Sequence, residues 1–377
     1  VMKIGIITMH RVQNYGSALQ AFALVEYLGK LGHHVETIDY FFPNSYHLKK
    51  AIPSFKARII LKIREILRSL LLEPFLKRNS KFALFRKQHL HLTDETYKTK
   101  EELMQKSPKF DVYLTGSDQV WNESKIYNDD SFFCNFAPDN AMVLSFGASI
   151  TANKITEDFK IRLKKQLSKY CAIGVREKSS LPLLQSLELS PHVPVLNTCD
   201  PTLLLNSTDY NKLADESTLK IDYDFILVHQ LEYNFSAEPA ITEVINSAKK
   251  HFGCGIIMID HMFKHIADGD HKICSCGPNE FVWLFKHAKA VVTSSFHGTM
   301  FSIIYRKTFV SIAPPKDHLD SRIADTLIAM GLDNHLVHNN GEKILIDWDI
   351  CYSSSQEKYI KAYIDSSKDF LANSLKK

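Results

Sequence analysis

Three stretches of the sequence place hydroxyl, imidazole, guanidinium and carboxylate groups beside glycines. Ser294-Ser295-Phe296-His297-Gly298-Thr299 follows the short, apolar, β-branched run Ala290–Thr293. Thr115-Gly116-Ser117-Asp118-Gln119-Val120-Trp121 follows the apolar run 110–114, and Arg176-Glu177 closes the run 170–177. A histidine exchanges protons near neutral pH and serves as a general acid or base. An arginine can grip a phosphate or carboxylate through two parallel N–H donors. Together these groups could bind an anion and move a proton. Each also has a plainer explanation. His297 could pack in a helix-capping loop, Arg176 could form a salt bridge with Glu177, and Trp121 could pack in the core as readily as stack on a sugar.

The elements that must position these residues read as alternating strands and helices. Residues 3–8 form a buried-strand pattern, residues 9–16 a polar loop, and Ser17 opens a helical stretch ended by Gly32. Residues 34–40 are the next strand, completing a βαβ unit of the kind that starts a doubly wound sheet. Ligands of such sheets sit beyond the carboxyl ends of the strands, at helix N-termini. Asn14, Tyr15 and Gly16, in the first such loop, are therefore cleft candidates, with simple helix capping as the alternative for Asn14 and Ser17. The loop is not Gly-x-Gly-x-x-Gly, so no dinucleotide is implied.

Residues 43–108 read as a basic helical insertion without a strand pattern. Strands are expected again at 110–114, 141–149, 170–177 and from 193. A polar stretch, 206–222, separates this half from a second doubly wound pattern. There, strands are expected at 224–229, 254–260, 290–293 and 308–313, and helices at 238–252, 279–287, a short turn at 300–305, and 321–330. A long helix at 354–375 ends the pattern. The resulting division is an N-terminal Rossmann-like domain over 2–205, joined by the terminal helix, and a C-terminal domain over 223–353.

Composition narrows the function classes. The chain has 377 residues, 45% hydrophobic and 23% charged, with a net charge of +4. These are the proportions of a globular protein, and the mild charge gives no argument for nucleic acid. Seven scattered cysteines suit free thiols in a reducing cytoplasm. His271 with Cys274 and Cys276 lacks the second ligand pair of a structural zinc site, so no metal is expected. No apolar run reaches the roughly 18 residues of a membrane span. The segment 57–75 reads as a basic amphipathic helix that packs on the domain or meets an anionic membrane face.

Taken together, KIGIITMHRVQNYGSALQAFAL, TGSDQVWN, SFGAS, VREKSS, CDPTLLL and SSFHGTMFSIIYRKTFVSI resemble the polysaccharide pyruvyl transferase family, over about residues 2–330 and in the family's order. That resemblance implies two Rossmann-like, doubly wound α/β domains facing across a cleft, as in GT-B glycosyltransferases. It also implies transfer of pyruvate from phosphoenolpyruvate to a sugar of a cell-surface polysaccharide such as an exopolysaccharide, or to its precursor, as a ketal. Phosphoenolpyruvate would be a co-substrate and no cofactor would be needed.

The resemblance puts donor-site residues at Arg176, His297, Ser295, Gly298, Thr299 and Lys316, with Arg322 as the alternative to Lys316. His297 and Arg176 would act in catalysis, with Asp118 or Glu177 as the base. Asn14, Tyr15, Gly16, Ser117 and Trp121 would meet the acceptor, a saccharide that could be lipid-linked. The protein would then work in the cytoplasm, at the inner membrane face if its acceptor is there. The rival readings are a glycosyltransferase using a nucleotide sugar and a non-catalytic carbohydrate-binding or assembly protein.

Overall fold

The computed structural model describes residues 1–47, 59, 63, 73–150, 155–231, 235–259, 270–316, 322–341, 344, 346–349 and 351–376. The chain divides into two units. The first comprises Val1–Glu73, Phe82–Leu204 and Ile364–Lys377, and the second Pro74–Lys81 and Leu205–Tyr363.

The first unit carries strands β1 (Lys3–Ile7), β2 (His34–Tyr40), β3 (Leu92–Tyr97), β4 (Val112–Thr115), β5 (Met142–Ala148), β6 (Ala172–Val175) and β7 (Val195–Asn197). They form one parallel sheet in the order β3-β2-β1-β4-β5-β6-β7. The second carries β8 (Ile226–His229), β9 (Ile256–Ile259), β10 (His271–Ile273), β11 (Ala290–Thr293), β12 (Thr308–Ala313) and β13 (Leu336–His338). These also form a parallel sheet, in the order β10-β9-β8-β11-β12-β13. Both orders run outward from a reversal beside the first strand, at β1/β4 and β8/β11. Such a reversal opens a crevice at the carboxyl edge, where ligands of doubly wound sheets bind.

In chain order the α-helices are α1 (Tyr15–Lys30), α2 (Glu73–His89), α3 (Lys100–Gln105), α4 (Glu157–Leu167), α5 (Leu181–Ser186), α6 (Ser207–Asp215), α7 (Ala240–Phe252), α8 (Pro278–His287), α9 (Phe296–Ile304), α10 (Arg322–Ala329) and α11 (Ser354–Ser374). The central strands are buried on both faces and read as continuous apolar runs, as a covered parallel sheet requires. Among the described residues no helix is long and apolar enough to cross a membrane. Most of the basic segment 57–75, including its arginines and lysine, lies outside the described residues.

Two expectations need correction. The segment 43–108 is not free of strands, because β3 extends the first sheet beside β2. Its sequence, LTDETY, is exposed at three central positions, so it lacks the apolar run that marks the inner strands. Edge strands pair on one side only and carry polar residues for that reason. The second correction concerns residues 294–299, which are not a free loop ahead of a helix at 300. Ser295 caps α9, which already starts at Phe296, with its side chain accepting from the Gly298 N–H. His297 is thus the second residue of a helix.

The terminal helix closes the first sheet through a tight contact. An added Cβ at Gly174 in β6 would stand 2.9 Å from the Ser145 carbonyl oxygen and 3.0 Å from Phe370 of α11. A backbone oxygen cannot move aside as a flexible side chain can. Gly174→Ala should therefore destabilise the protein by about 1–3 kcal/mol, measured by urea unfolding. An unchanged midpoint would refute the packing of α11 on β6.

Candidate active site

In the second unit the reversal point brings together the ends of β8 and β11 and the start of α9. Thr293, the last residue of β11, donates its hydroxyl to the His229 carbonyl at 2.7 Å and accepts the Ser295 N–H at 3.0 Å. The Ser294 hydroxyl bridges the Leu231 carbonyl and N–H, at 3.0 and 2.9 Å. Gly298 makes this junction sterically workable. A Cβ there would lie 2.3 Å from the Thr293 hydroxyl and 3.2 Å from His229 Nδ1. Glycine therefore lets the first turn of α9 come down onto the strand ends, with the His229 ring alongside. That ring is buried and meets Phe281 edge-on, with centroids 5.2 Å apart. His297 is 9% exposed at the positive end of the α9 dipole, where an anion is stabilised. His229 drew no attention as a candidate in the sequence because it ends an ordinary apolar strand. The parallel pairing of Thr293 with His229 supplies the missing signal.

Not every residue of this stretch faces the crevice. Thr299 is fully buried, donating to the Ser295 carbonyl at 3.0 Å and sharing a 2.7 Å hydrogen bond with Ser311. Its expected donor contact is corrected to an internal helix–strand tie. The Ser295 hydroxyl is used in the cap. Lys316 is exposed in a turn beyond β12, and Arg322 begins α10, so both belong to the carboxyl side of the same sheet.

In the first unit the corresponding edge is a hydrogen-bonded network. Thr8, beyond β1, donates to the Ser117 carbonyl at 2.8 Å and accepts from Gln20 of α1 at 2.8 Å. Ser17 donates to the Asp118 carboxylate, which also accepts the Gln119 N–H at 2.8 Å. Asp118 is half-buried and has φ +80°, a left-handed conformation that non-glycine residues rarely adopt. Asn14 caps α1, its side chain accepting from the Gly16 and Ser17 N–H groups at 2.9 and 3.3 Å.

Arg176 lies deeper. Its guanidinium, 1% exposed, donates to Asp200 at 2.9 Å and to Ser117 at 3.3 Å. Glu177 stands 3.9 Å from the guanidinium and accepts the Ser149 hydroxyl.

The sequence profile of the polysaccharide pyruvyl transferase family matches residues 14–315, more than half of the chain and parts of both units. The chain belongs to the polysaccharide pyruvyl transferase family. No curated protein matches it by sequence. In fold it is similar to the UDP-GlcNAc 2-epimerase of Methanocaldococcus jannaschii. That match has a TM-score of 0.50 and 12% identity over 97% of this chain and 93% of that one. It is also similar to a putative UDP-N-acetylglucosamine 2-epimerase of Listeria monocytogenes, with a TM-score of 0.52 and 10% identity over 98% and 90%. At these identities the likeness is one of fold, and the expected GT-B-like class of two Rossmann-like α/β domains holds. At family level the protein is a transferase.

Within this pyruvyl transferase framework two assignments change. Trp121 is fully buried, stacked on Phe133 at 5.6 Å, and donates its indole N–H to the Phe132 carbonyl. It is a core residue and offers no platform to an acceptor. Tyr15 is 2% exposed, with its ring against Phe82, and likewise packs. Arg176 is paired with Asp200 at 2.9 Å, with Glu177 3.9 Å away, so the plainer salt-bridge expectation is present at the end of β6. Glu177 is also buried, which leaves Asp118 as the carboxylate of this edge with partial access to solvent. Among the described residues, no group of three or more His, Cys, Asp or Glu could hold a metal ion.

A further carboxylate sits at the ends of β1 and β2. Asp39 accepts from His10 at 3.1 Å, from Arg11 at 2.7 and 2.6 Å, and from Thr96 at 2.5 Å. Burial pushes its pKa up, but the His10, Arg11 and Thr96 hydrogen bonds outweigh this and hold the carboxyl below the usual range.

Two outcomes follow from these pairs. Asp200→Ala leaves the Arg176 guanidinium buried without its close partner and should cost about 3–5 kcal/mol. Arg176→Met leaves the Asp200 carboxylate buried without its cation and should cost a similar amount, and a loss below about 1 kcal/mol for either variant in urea unfolding would refute the account. Asp39 is depressed in the fold, so the unfolded chain takes up its proton first as pH falls through about 4. The stability it confers above that pH is lost as pH drops towards the folded value. Asp39→Asn should therefore flatten the acid limb of the stability–pH curve, and an unchanged slope between about pH 5 and 2 would refute this.

Proposed function

We propose that the protein transfers pyruvate from phosphoenolpyruvate to two hydroxyls of a sugar in a cell-surface polysaccharide or its precursor, forming a cyclic ketal. The observation that carries this reading is the family match over residues 14–315, which takes in the β8/β11 crevice and His297. Phosphoenolpyruvate brings a phosphate and a carboxylate, about three negative charges at neutral pH. The second unit's edge suits such a donor. It has a helix N-terminus, two histidines near it, and Lys316 and Arg322 beyond the next strand.

The reaction needs a proton on C3 of the enol, which makes C2 electrophilic. One sugar hydroxyl adds to C2 and loses its proton. Phosphate then leaves with the C2–O electron pair, and the second hydroxyl closes the ring and loses its proton. One of the released protons replaces that used at C3, and the other accompanies phosphate. His297 is assigned the proton to C3, or the phosphate as imidazolium. Asp118, half-buried on the first unit's edge, is assigned to the acceptor hydroxyl.

Calorimetric titration with phosphoenolpyruvate beside UDP-, GDP- and CMP-sugars tests the reading. Phosphoenolpyruvate should bind, and His297→Ala should weaken binding and lower phosphate release by at least about a hundredfold, with folding intact by circular dichroism. Binding of a nucleotide sugar without binding of phosphoenolpyruvate would transfer the chain to the glycosyltransferase reading.

A further inference from the structure

An exposed aromatic ring and an arginine stand on the same sheet edge as Asp118, at the carboxyl ends of β1 and β2. Arg11 lies in the loop after β1, and Phe41 directly follows β2. Phe41 is 39% exposed, whereas the next residue, Phe42, is buried with its ring centroid 4.8 Å from that of Phe132. The exposed ring hangs on a fixed backbone. The Phe41 N–H donates to the Tyr97 carbonyl at 2.8 Å, and the Phe41 carbonyl accepts from the Asn44 side chain at 2.7 Å. The Arg11 guanidinium lies over the ring, 4.9 Å from its centroid. Ring and guanidinium thus form one stacked unit at the edge where ligands of a doubly wound sheet bind.

Hydrogen bonds hold the arginine as firmly. Its Nε and Nη2 donate to Asp39 at 2.7 and 2.6 Å, and His10 and Thr96 fill the remaining acceptor sites of that carboxylate. Nη1 is not used on Asp39 and has no hydrogen-bond partner among the described residues, while the side chain is 20% exposed. The same network continues towards Asp118. His10 Nδ1 donates to the Thr8 carbonyl at 3.1 Å, and the Thr8 hydroxyl donates to the Ser117 carbonyl at 2.8 Å. Arg11 and Phe41 are therefore tied to the turn that carries Asp118.

A rigid phenyl ring bordered by free N–H donors supplies the two contacts that a sugar ring takes. The C–H face of a pyranose is apolar and packs on an aromatic ring, and its hydroxyls accept from a guanidinium. Trp121 and Tyr15 are buried and offer neither contact. We infer that Phe41 and Arg11 form the platform on which a pyranose of the acceptor packs, with Nη1 of Arg11 donating to its hydroxyls. This rests on the proposed pyruvyl transfer, in which Asp118 on the same edge meets the acceptor. Arg11 is already in a bidentate ion pair, so the platform takes an uncharged sugar rather than a uronate. Asp39 does not touch the acceptor; it fixes the Arg11 head and is a positioning residue.

Saturation-transfer NMR on the full chain tests the platform without turnover, with the methyl glycosides of glucose, galactose, mannose, N-acetylglucosamine and glucuronic acid as probes. At least one uncharged glycoside should receive saturation, strongest at the C–H protons of one ring face. Phe41→Leu keeps an apolar side chain but no flat face. It should weaken that probe about three- to tenfold and erase the one-face pattern, whereas Phe41→Tyr should keep both. Arg11→Lys retains an ion pair with Asp39 but has no planar fork to serve Asp39 and a sugar together. It should keep the wild-type Tm and weaken the same probe about tenfold. In phosphate release from phosphoenolpyruvate with that glycoside as acceptor, Phe41→Leu should raise the KM of the acceptor and leave that of phosphoenolpyruvate unchanged.

No saturation of any glycoside in the wild type, or a one-face pattern that survives in Phe41→Leu, overturns the platform. Tighter binding of the glucuronoside than of every uncharged glycoside overturns the uncharged class. A raised KM for phosphoenolpyruvate in Phe41→Leu moves the platform to the donor and overturns the acceptor assignment. Failure of phosphoenolpyruvate to bind any form, with the saccharide pattern and its loss in Phe41→Leu intact, removes the pyruvyl transfer reading and leaves the saccharide site standing.

Discussion

The first unit's edge depends on one buried carboxylate. Asp200 follows β7 and has no access to solvent in the side chain. Its Oδ2 takes Arg176 from the end of β6 and Ser117 from the end of β4, and its Oδ1 takes the Thr202 N–H and hydroxyl. An ionised carboxylate in such surroundings is tolerable only with its lone pairs filled and a cation beside it. The requirement fixes three strand ends relative to one another. Ser117 is then held against Thr8, and Asp118 follows in its left-handed conformation. The geometry at Asp118 is therefore set by a residue 82 positions later.

The second unit reaches a similar end by steric fit. Its edge is tied by hydroxyls and carbonyls, Thr293 to His229 and Ser294 to Leu231, and by the close approach that Gly298 permits. Neutral ties leave the electrostatics of the crevice to the α9 dipole and the histidines.

Much of the fold was legible because parallel strands buried on both faces appear as apolar runs, and β1, β4, β8 and β11 are of that kind. Strand β3 was missed because its centre is polar and its alternation short. The site was legible in part. His297 and Gly298 stand at a strand-to-helix junction and Asp118 in the turn beyond β4, and glycine or hydroxyl neighbours mark such places in sequence. What the sequence does not carry is the partner of each side chain. Arg176 and Trp121 have the residue types of binding groups, but a carboxylate 24 residues on and a phenylalanine 12 residues on take them into the interior. Neither partner has a local signature. His229 failed in the opposite sense, since nothing in its own strand distinguishes it from a core residue.

Counting filled bonds separates the two kinds of polar residue better than residue type does. Thr299 and Asn14 look functional in sequence and are satisfied inside their own unit, so their loss would be felt as stability. The saturated carboxylate Asp200 shows the same rule from the other side: with both oxygens filled by Arg176, Ser117 and Thr202 it builds the edge of the sheet.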